Sequence, residues 1–305
     1  MDILALFSNY TFQIVALGSA LLGIISGVLG SFAVLRKQSL LGDGVSHAAL
    51  PGVVLVFLLT GSKNTEMLLL GALVTGIFAT LLILGIVKTT RVKFDAALAL
   101  VLSVFFGLGT VLLTYSQKIP NANQAGLKNY IYGQAANMLE SDVLSMLVVG
   151  FIVIILVLLF WKELKITSFD PEYAKTLGFN TSYINLLMIL LLVLAIIIGL
   201  QTVGVILMSA LIIAPAVSAR QWTNKFSIMV ILAAIFGGLS GLLGATISIT
   251  SSKLATGPII VVVATIIAIT SLLIAPKRGV ISKLYKRNQN KKRYLDKDGD
   301  LDHVC

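Results

Sequence analysis

From Ile152 to Phe160 the chain reads IVIILVLLF, with no polar side chain on any face. Comparable apolar segments recur at about 13–35, 41–60, 66–87, 95–115, 142–161, 184–200, 202–218, 226–248 and 257–275. A hydrocarbon core of roughly 30 Å takes about 20 residues of helix to cross, so most of these runs are span-length. The short alternating segments of a membrane β-barrel are missing. In lipid the backbone must satisfy its own hydrogen bonds, which leaves helices. The reading is an all-α polytopic membrane protein of about nine (eight to nine) transmembrane helices. The short pair at 184–218 leaves the count open, as two spans or as one span plus a broken or re-entrant piece. Of the 305 residues only 12% are charged, against about 25% in an ordinary soluble domain. That excludes a soluble enzyme, a nucleic-acid binder and a secreted disulfide scaffold, and the single cysteine, Cys305, has no intramolecular partner. Residues 1–12 lack the basic flank of a signal peptide, so the first run reads as a retained span.

Charge placement orients the spans. With the N-terminus outside and the C-terminus inside, 19 of the 23 Lys and Arg fall on inner connections or the tail. Shifting the topology by one span inverts this, against the positive-inside rule. The chain therefore divides into a transmembrane domain, 1–276, and an inner tail, 277–305, that is basic and then acidic and reads as disordered. Residues 116–141 form a long outer loop and 162–183 an inner one. Within the inner loop, Asp170-Pro171-Glu172 has the form of a helix start, with proline at the first helical position and acid in the first turn. Gly178 supplies the stop.

An ionisable group inside a span costs roughly 2.5–3.5 kcal/mol on insertion scales, so each one needs a reason. Nearly all of the 13 Asp and Glu sit in loops, at span ends or in the tail. Asp95 has Arg91 at helical i,i+4 spacing, and pairing would explain it. Asp43 remains, at the opening of the second span, with His47 four residues on. On a helix the two share a face, and together they suit Mn(II), Fe(II) or Zn(II). The same spacing also suits a plain helix start, with Asp43 capping and His47 bonding a neighbour. Two ligands do not close a site, although a transport site must release its ion and a second subunit can supply more. The charge pattern also places Asp43 near the inner end of its span, whereas an ion gate is expected deeper or farther out. No G-x-x-x-x-G-K-[ST] nucleotide motif is present.

The string Arg36-Lys-Gln-Ser-Leu-Leu-Gly-Asp43-Gly-Val-Ser-His47-Ala-Ala-Leu-Pro-Gly52 closely resembles a signature of the permease subunits of metal-ion ABC importers, the manganese/zinc/iron family called ABC-3. Four further blocks resemble the same family in order. They are Asp95-Ala-Ala-Leu with Ser103 and Gly107-Leu-Gly; Phe169-Asp-Pro-Glu-Tyr-Ala174 with Gly178; Gln201-Thr-Val-Gly-Val with Ala214 to Arg220; and Gly241-Leu-Leu-Gly with Thr256-Gly-Pro258. The resemblance implies a type II ABC-importer-like permease in a bacterial cytoplasmic membrane, itself no enzyme. Its expected partners are a second copy of the chain, a cytoplasmic ABC ATPase dimer, an extracellular metal-binding lipoprotein or periplasmic protein, and membrane lipid, with no nucleic acid. It implies no permanently bound cofactor and a transported divalent metal, manganese favoured over zinc or iron. By the same resemblance Asp43 and His47 are the metal ligands. Asp170, Pro171, Glu172, Tyr173 and Ala174, stopped by Gly178, form the coupling helix that meets the ATPase, and the loop 116–141 helps seat the binding protein.

Two other readings stay open at this level. An ion-gradient-driven carrier predicts internal repeats with broken helices at the midplane, and no convincing repeat is visible. An intramembrane enzyme needs an acid/base partner that the spans do not offer. In the tail, Asp296-Lys-Asp-Gly-Asp-Leu-Asp302 mimics the start of a calcium loop with the wrong spacing. The basic stretch before it suits anionic lipid.

Overall fold

The computed structural model describes residues 10–62, 64–118, 138–200, 204–250, 255–284, 287 and 289. Among these there are helices and no strand. The long helices are α1 (Tyr10–Leu35), α2 (Leu41–Thr60), α3 (Thr65–Thr89), α4 (Phe94–Ser116) and α5 (Glu140–Leu159). Two short ones follow, α6 (Trp161–Phe169) and α7 (Pro171–Thr176), and then α8 (Thr181–Leu200), α9 (Val205–Trp222), α10 (Phe226–Thr250) and α11 (Thr256–Ile274). Eight of the described helices are long and apolar enough to cross a bilayer, and α9, with 18 residues, occupies the remaining expected segment. The expected outer loop, apart from its ends, and the first three residues of the Gln201 block lie outside the described residues. Of the tail, residues 280–284 are helical.

The helix ends gather into two faces. At one, Tyr10 donates from its hydroxyl to Glu140 Oε2 at 2.8 Å, joining α1 to α5. The hydroxyls of Ser248 and Thr256 meet at 2.8 Å and join α10 to α11. At the other, Arg36 just past α1 donates from Nε to Ser168 Oγ (2.9 Å) and from Nη1 to Asn185 Oδ1 (3.0 Å), tying α6 and α8 to the α1–α2 corner. Leu35, Phe169, Arg220, Lys225 and Arg278 line a common crevice there. This basic end therefore collects four of the connections that the charge pattern assigned to a single side.

Much of the expected inner loop is helix. The chain bends at Phe160 and continues as α6. The polar residues of 162–168 hide the reason, which is tertiary: Trp161 stacks on Phe226 (centroids 5.5 Å apart, 19° between planes), and Phe32 and Phe169 meet Phe226 edge-on at 4.9 and 5.7 Å. Such aromatic pairs contribute beyond their buried area, and they fasten α6 to α1 and α10. The i,i+4 partner expected for Asp95 is also absent: α4 starts at Phe94, so Arg91 stands outside the helix and no ion pair forms.

Close approach of α1 and α10 sets the bundle. A Cβ added to Gly23 would lie 2.1 Å from the carbonyl oxygen of Gly237, and one on Gly241 would lie 2.2 Å from that of Ser19. In membranes, where lipid is as apolar as leucine, such contact is a main source of helix association. In their most apolar windows α1, α2 and α8 are 67%, 72% and 61% buried, against 22–28% for α4, α5 and α11. The least apolar of the eight, α2, is therefore the one most wrapped in protein. That is where a span tolerates Asp, His, Ser and Gly.

Candidate metal site

Both residues singled out from the sequence lie on α2 and face each other across one turn. Asp43 Oδ1 and His47 Nε2 are 3.4 Å apart. Asp43 does not cap the helix: the N-cap is Leu40, and Asp43 sits in the first turn. Ser46, between them in sequence, turns its hydroxyl to the carbonyl of Gly42 (2.6 Å) and bonds neither of the two. The side chain of His47 is 16% exposed and that of Asp43 38%, so the carboxylate is the more open of the two. The other ring nitrogen, His47 Nδ1, is buried without a hydrogen-bond partner among the described residues. The ring is held instead by Phe106 of α4, edge-on with centroids 4.7 Å apart.

Phe106 also locates the pair in depth. It is near the middle of the 23-residue α4, so His47 lies level with the middle of that helix rather than with its end. The start of α2 is enclosed by other helices. Arg36 in the corner before it is covered by α6 and α8, and Gly42 meets Ile212 of α9 at the level of Gly30 in α1. Within its own helix Asp43 is in the first turn, where the charge pattern placed it, and His47 one turn on meets the mid-helix ring of Phe106.

With metal–ligand bonds of about 2.1 Å, donors 3.4 Å apart subtend an angle of about 108° at a shared cation. That separation is compatible with one shared ion. Among the described residues no group of three or more His, Cys, Asp or Glu gathers anywhere. Asp43 and His47 alone therefore make at most half of a four-coordinate shell within one copy of the chain.

The expected short helix at the basic end is α7, built as its residues suggest. The Asp170 carboxylate accepts from the backbone N–H groups of Glu172 (3.1 Å) and Tyr173 (2.9 Å), and Pro171 occupies the first turn. Ala174 is fully buried, and Gly178 takes φ 86° beyond the helix end. Tyr173, at 55%, and Phe169, at 59%, are exposed beside it. Sequence reasoning missed two residues that matter here. Phe106 gave no signal because its partner is on another helix, and Arg36 read as a topology marker and as the first residue of the resembling string, with no contact implied.

Residues 8–275 match the sequence pattern of the ABC 3 transport family. The chain belongs to that family. It is 50% identical over 287 residues to the zinc transport system membrane protein TroC of Treponema pallidum, covering 94% of this chain and 96% of that protein. It is 44% identical over 281 residues to the manganese transport system membrane protein MntC of Bacillus subtilis, covering 92% of this chain and 65% of the relative. The solved structure of PsaBC from Streptococcus pneumoniae in complex with Fab contains a chain of the same fold, with TM-score 0.79 and 33% identity over 90% of this chain and 96% of that one. As a member of the ABC 3 transport family the protein is a multi-pass permease of an ABC importer, with the type II architecture expected, and it is not an enzyme.

Proposed function

We propose that this permease carries a divalent transition metal, manganese or zinc in the first place and iron next, into a bacterial cytoplasm, and that Asp43 and His47 hold the ion in transit. The observation that carries the reading is the 3.4 Å separation of Asp43 Oδ1 and His47 Nε2 inside the bundle. This is a pair whose chemistry suits Mn(II), Fe(II) and Zn(II) alike. Two copies of the chain line the path, and the second contributes its own Asp and His, which fills a shell that one copy leaves half-made. A cytoplasmic ATPase dimer drives the cycle through α7, and an extracellular metal-binding protein delivers the ion. The basic end faces the cytoplasm, with the N-terminus outside, in keeping with the positive-inside rule.

The reading is tested with radiolabelled manganese and zinc in proteoliposomes. Uptake is expected only when the ATPase subunit and ATP are present. Uptake by this chain alone under an ion gradient would replace the ATP-driven importer with a secondary carrier.

A further inference from the structure

At the basic end, the corner between α1 and α2 closes over a cavity of about 610 Å³ that extends to α6, α7 and α8. That volume lies within the range of small-molecule sites. Three cations line it, Arg36, Lys37 and Lys175, together with neutral polar groups such as Ser182 and Asn185. No Asp or Glu is among the described residues that line it, and none of the three cations forms an ion pair among the described residues. Burial lowers the Arg36 guanidinium to about 10, the mark of a charge drawn from water with no carboxylate to answer it.

Two further observations point to the same place. Arg36 Nη2 and Gln38 Oε1 are buried without a hydrogen-bond partner among the described residues, although buried polar atoms are nearly always bonded. Lys37 is the one non-glycine residue with positive φ among those described, at 57°. It stands just past the end of α1, where glycine would take that conformation without strain. The chain instead keeps a lysine there and turns it onto the cavity wall.

We propose that this cavity binds the phosphate of an anionic phospholipid headgroup from the leaflet at the basic end. Phosphate oxygens accept from several donors at once, and the arginine fork matches their geometry. A headgroup that also carries a hydroxyl, as phosphatidylglycerol does, offers a donor to Gln38. The cavity lies where α1 and α6 end and α8 begins, at the basic end of the bundle, and basic pockets between membrane helices recruit such groups. Free inorganic phosphate shares the chemistry and is the other source. Because the cavity is walled both by the corner leading into α2 and by Pro171 and Lys175 of α7, a bound headgroup bridges the metal-carrying helix and the coupling segment. That consequence rests on the function proposed above, whereas the binding itself does not.

The test uses the full chain in phosphatidylcholine nanodiscs, with the thermal midpoint followed as phosphatidylglycerol replaces phosphatidylcholine, or as inorganic phosphate is added. The double variant Lys37→Asn/Lys175→Gln is compared with wild type. Asparagine tolerates the left-handed backbone, so the corner is kept. Lys162→Gln/Lys165→Gln removes the same charge from exposed positions on α6. Phosphatidylglycerol is expected to raise the midpoint of wild type and of the α6 control by several degrees, and that of the cavity variant by less than half as much. The same pattern with inorganic phosphate alone would keep the site and assign it to the free anion. Equal shifts in wild type and cavity variant, or no shift in wild type with either, would overturn it. So would a cavity variant that responds normally to both phosphates but fails to bind the ATPase subunit, since the cavity would then hold a partner's carboxylate.

Discussion

At the residue scale, the basic end depends on one side chain that composition files as a topology marker. Arg36 spends Nε on Ser168 and Nη1 on Asn185, so a single guanidinium joins the α1–α2 corner to α6 and α8. Lysine keeps the charge but cannot reproduce a planar fork. Arg36→Lys should therefore destabilise the purified permease by about 1–3 kcal/mol, the scale of charged hydrogen bonds lost and partners left unbonded, read as a lower midpoint in thermal unfolding. Asp170 is a second such residue. Its carboxylate caps α7 through two backbone N–H groups, and Asp170→Ala should cost the local helix about 1 kcal/mol. The expected readout is faster amide hydrogen exchange across 171–176 with the rest of the bundle unchanged, and weaker stimulation of the ATPase subunit. Unaltered exchange there would show that packing of Ala174, and not the cap, holds the helix.

At the element scale, the glycine seam between α1 and α10 makes the sharpest prediction. Gly23→Ala puts a methyl 2.1 Å from the backbone of Gly237, and overpacking of that kind typically costs about 1–3 kcal/mol. Gly85→Ala on α3 meets nothing within 4 Å and should leave the midpoint unchanged or slightly raised. Comparing the two variants by thermal unfolding separates contact from composition. The elements also show why legibility in the sequence was uneven. The spans could be read because lipid demands apolar length whatever lies next to it, and α7 because its cap, proline and glycine are local signals. The helix α6 could not be read: most of the residues between its ends are polar, and what fastens it is Trp161 and Phe169 at those ends meeting Phe226, some 60 residues away. The pair Asp43/His47 was legible as a pair. The ring that packs on His47 was not, because Phe106 belongs to another helix.

At the scale of the whole molecule, the helix ends gather four of the basic connections onto one face, and the proposed orientation puts that face in the cytoplasm. The sole cysteine, Cys305, gives a direct check. In intact cells or spheroplasts a membrane-impermeant maleimide should leave it unlabelled, and labelling should require permeabilisation. Labelling without permeabilisation would reverse the topology and place α7 on the wrong side for an ATPase. The central claim concerns the ion. Asp43 and His47 are the one close acid–histidine pair among the described residues, and they stand on the span most enclosed by protein. Their removal should therefore abolish transport without dismantling the permease. The decisive measurement is manganese and zinc uptake by Asp43→Ala and His47→Ala permeases shown to assemble with the ATPase subunit. Uptake is predicted to fall at least about 10-fold in each, given that even outer-shell changes cost metal sites 10–100-fold, while assembly is retained. Full-rate uptake by both variants would contradict the account.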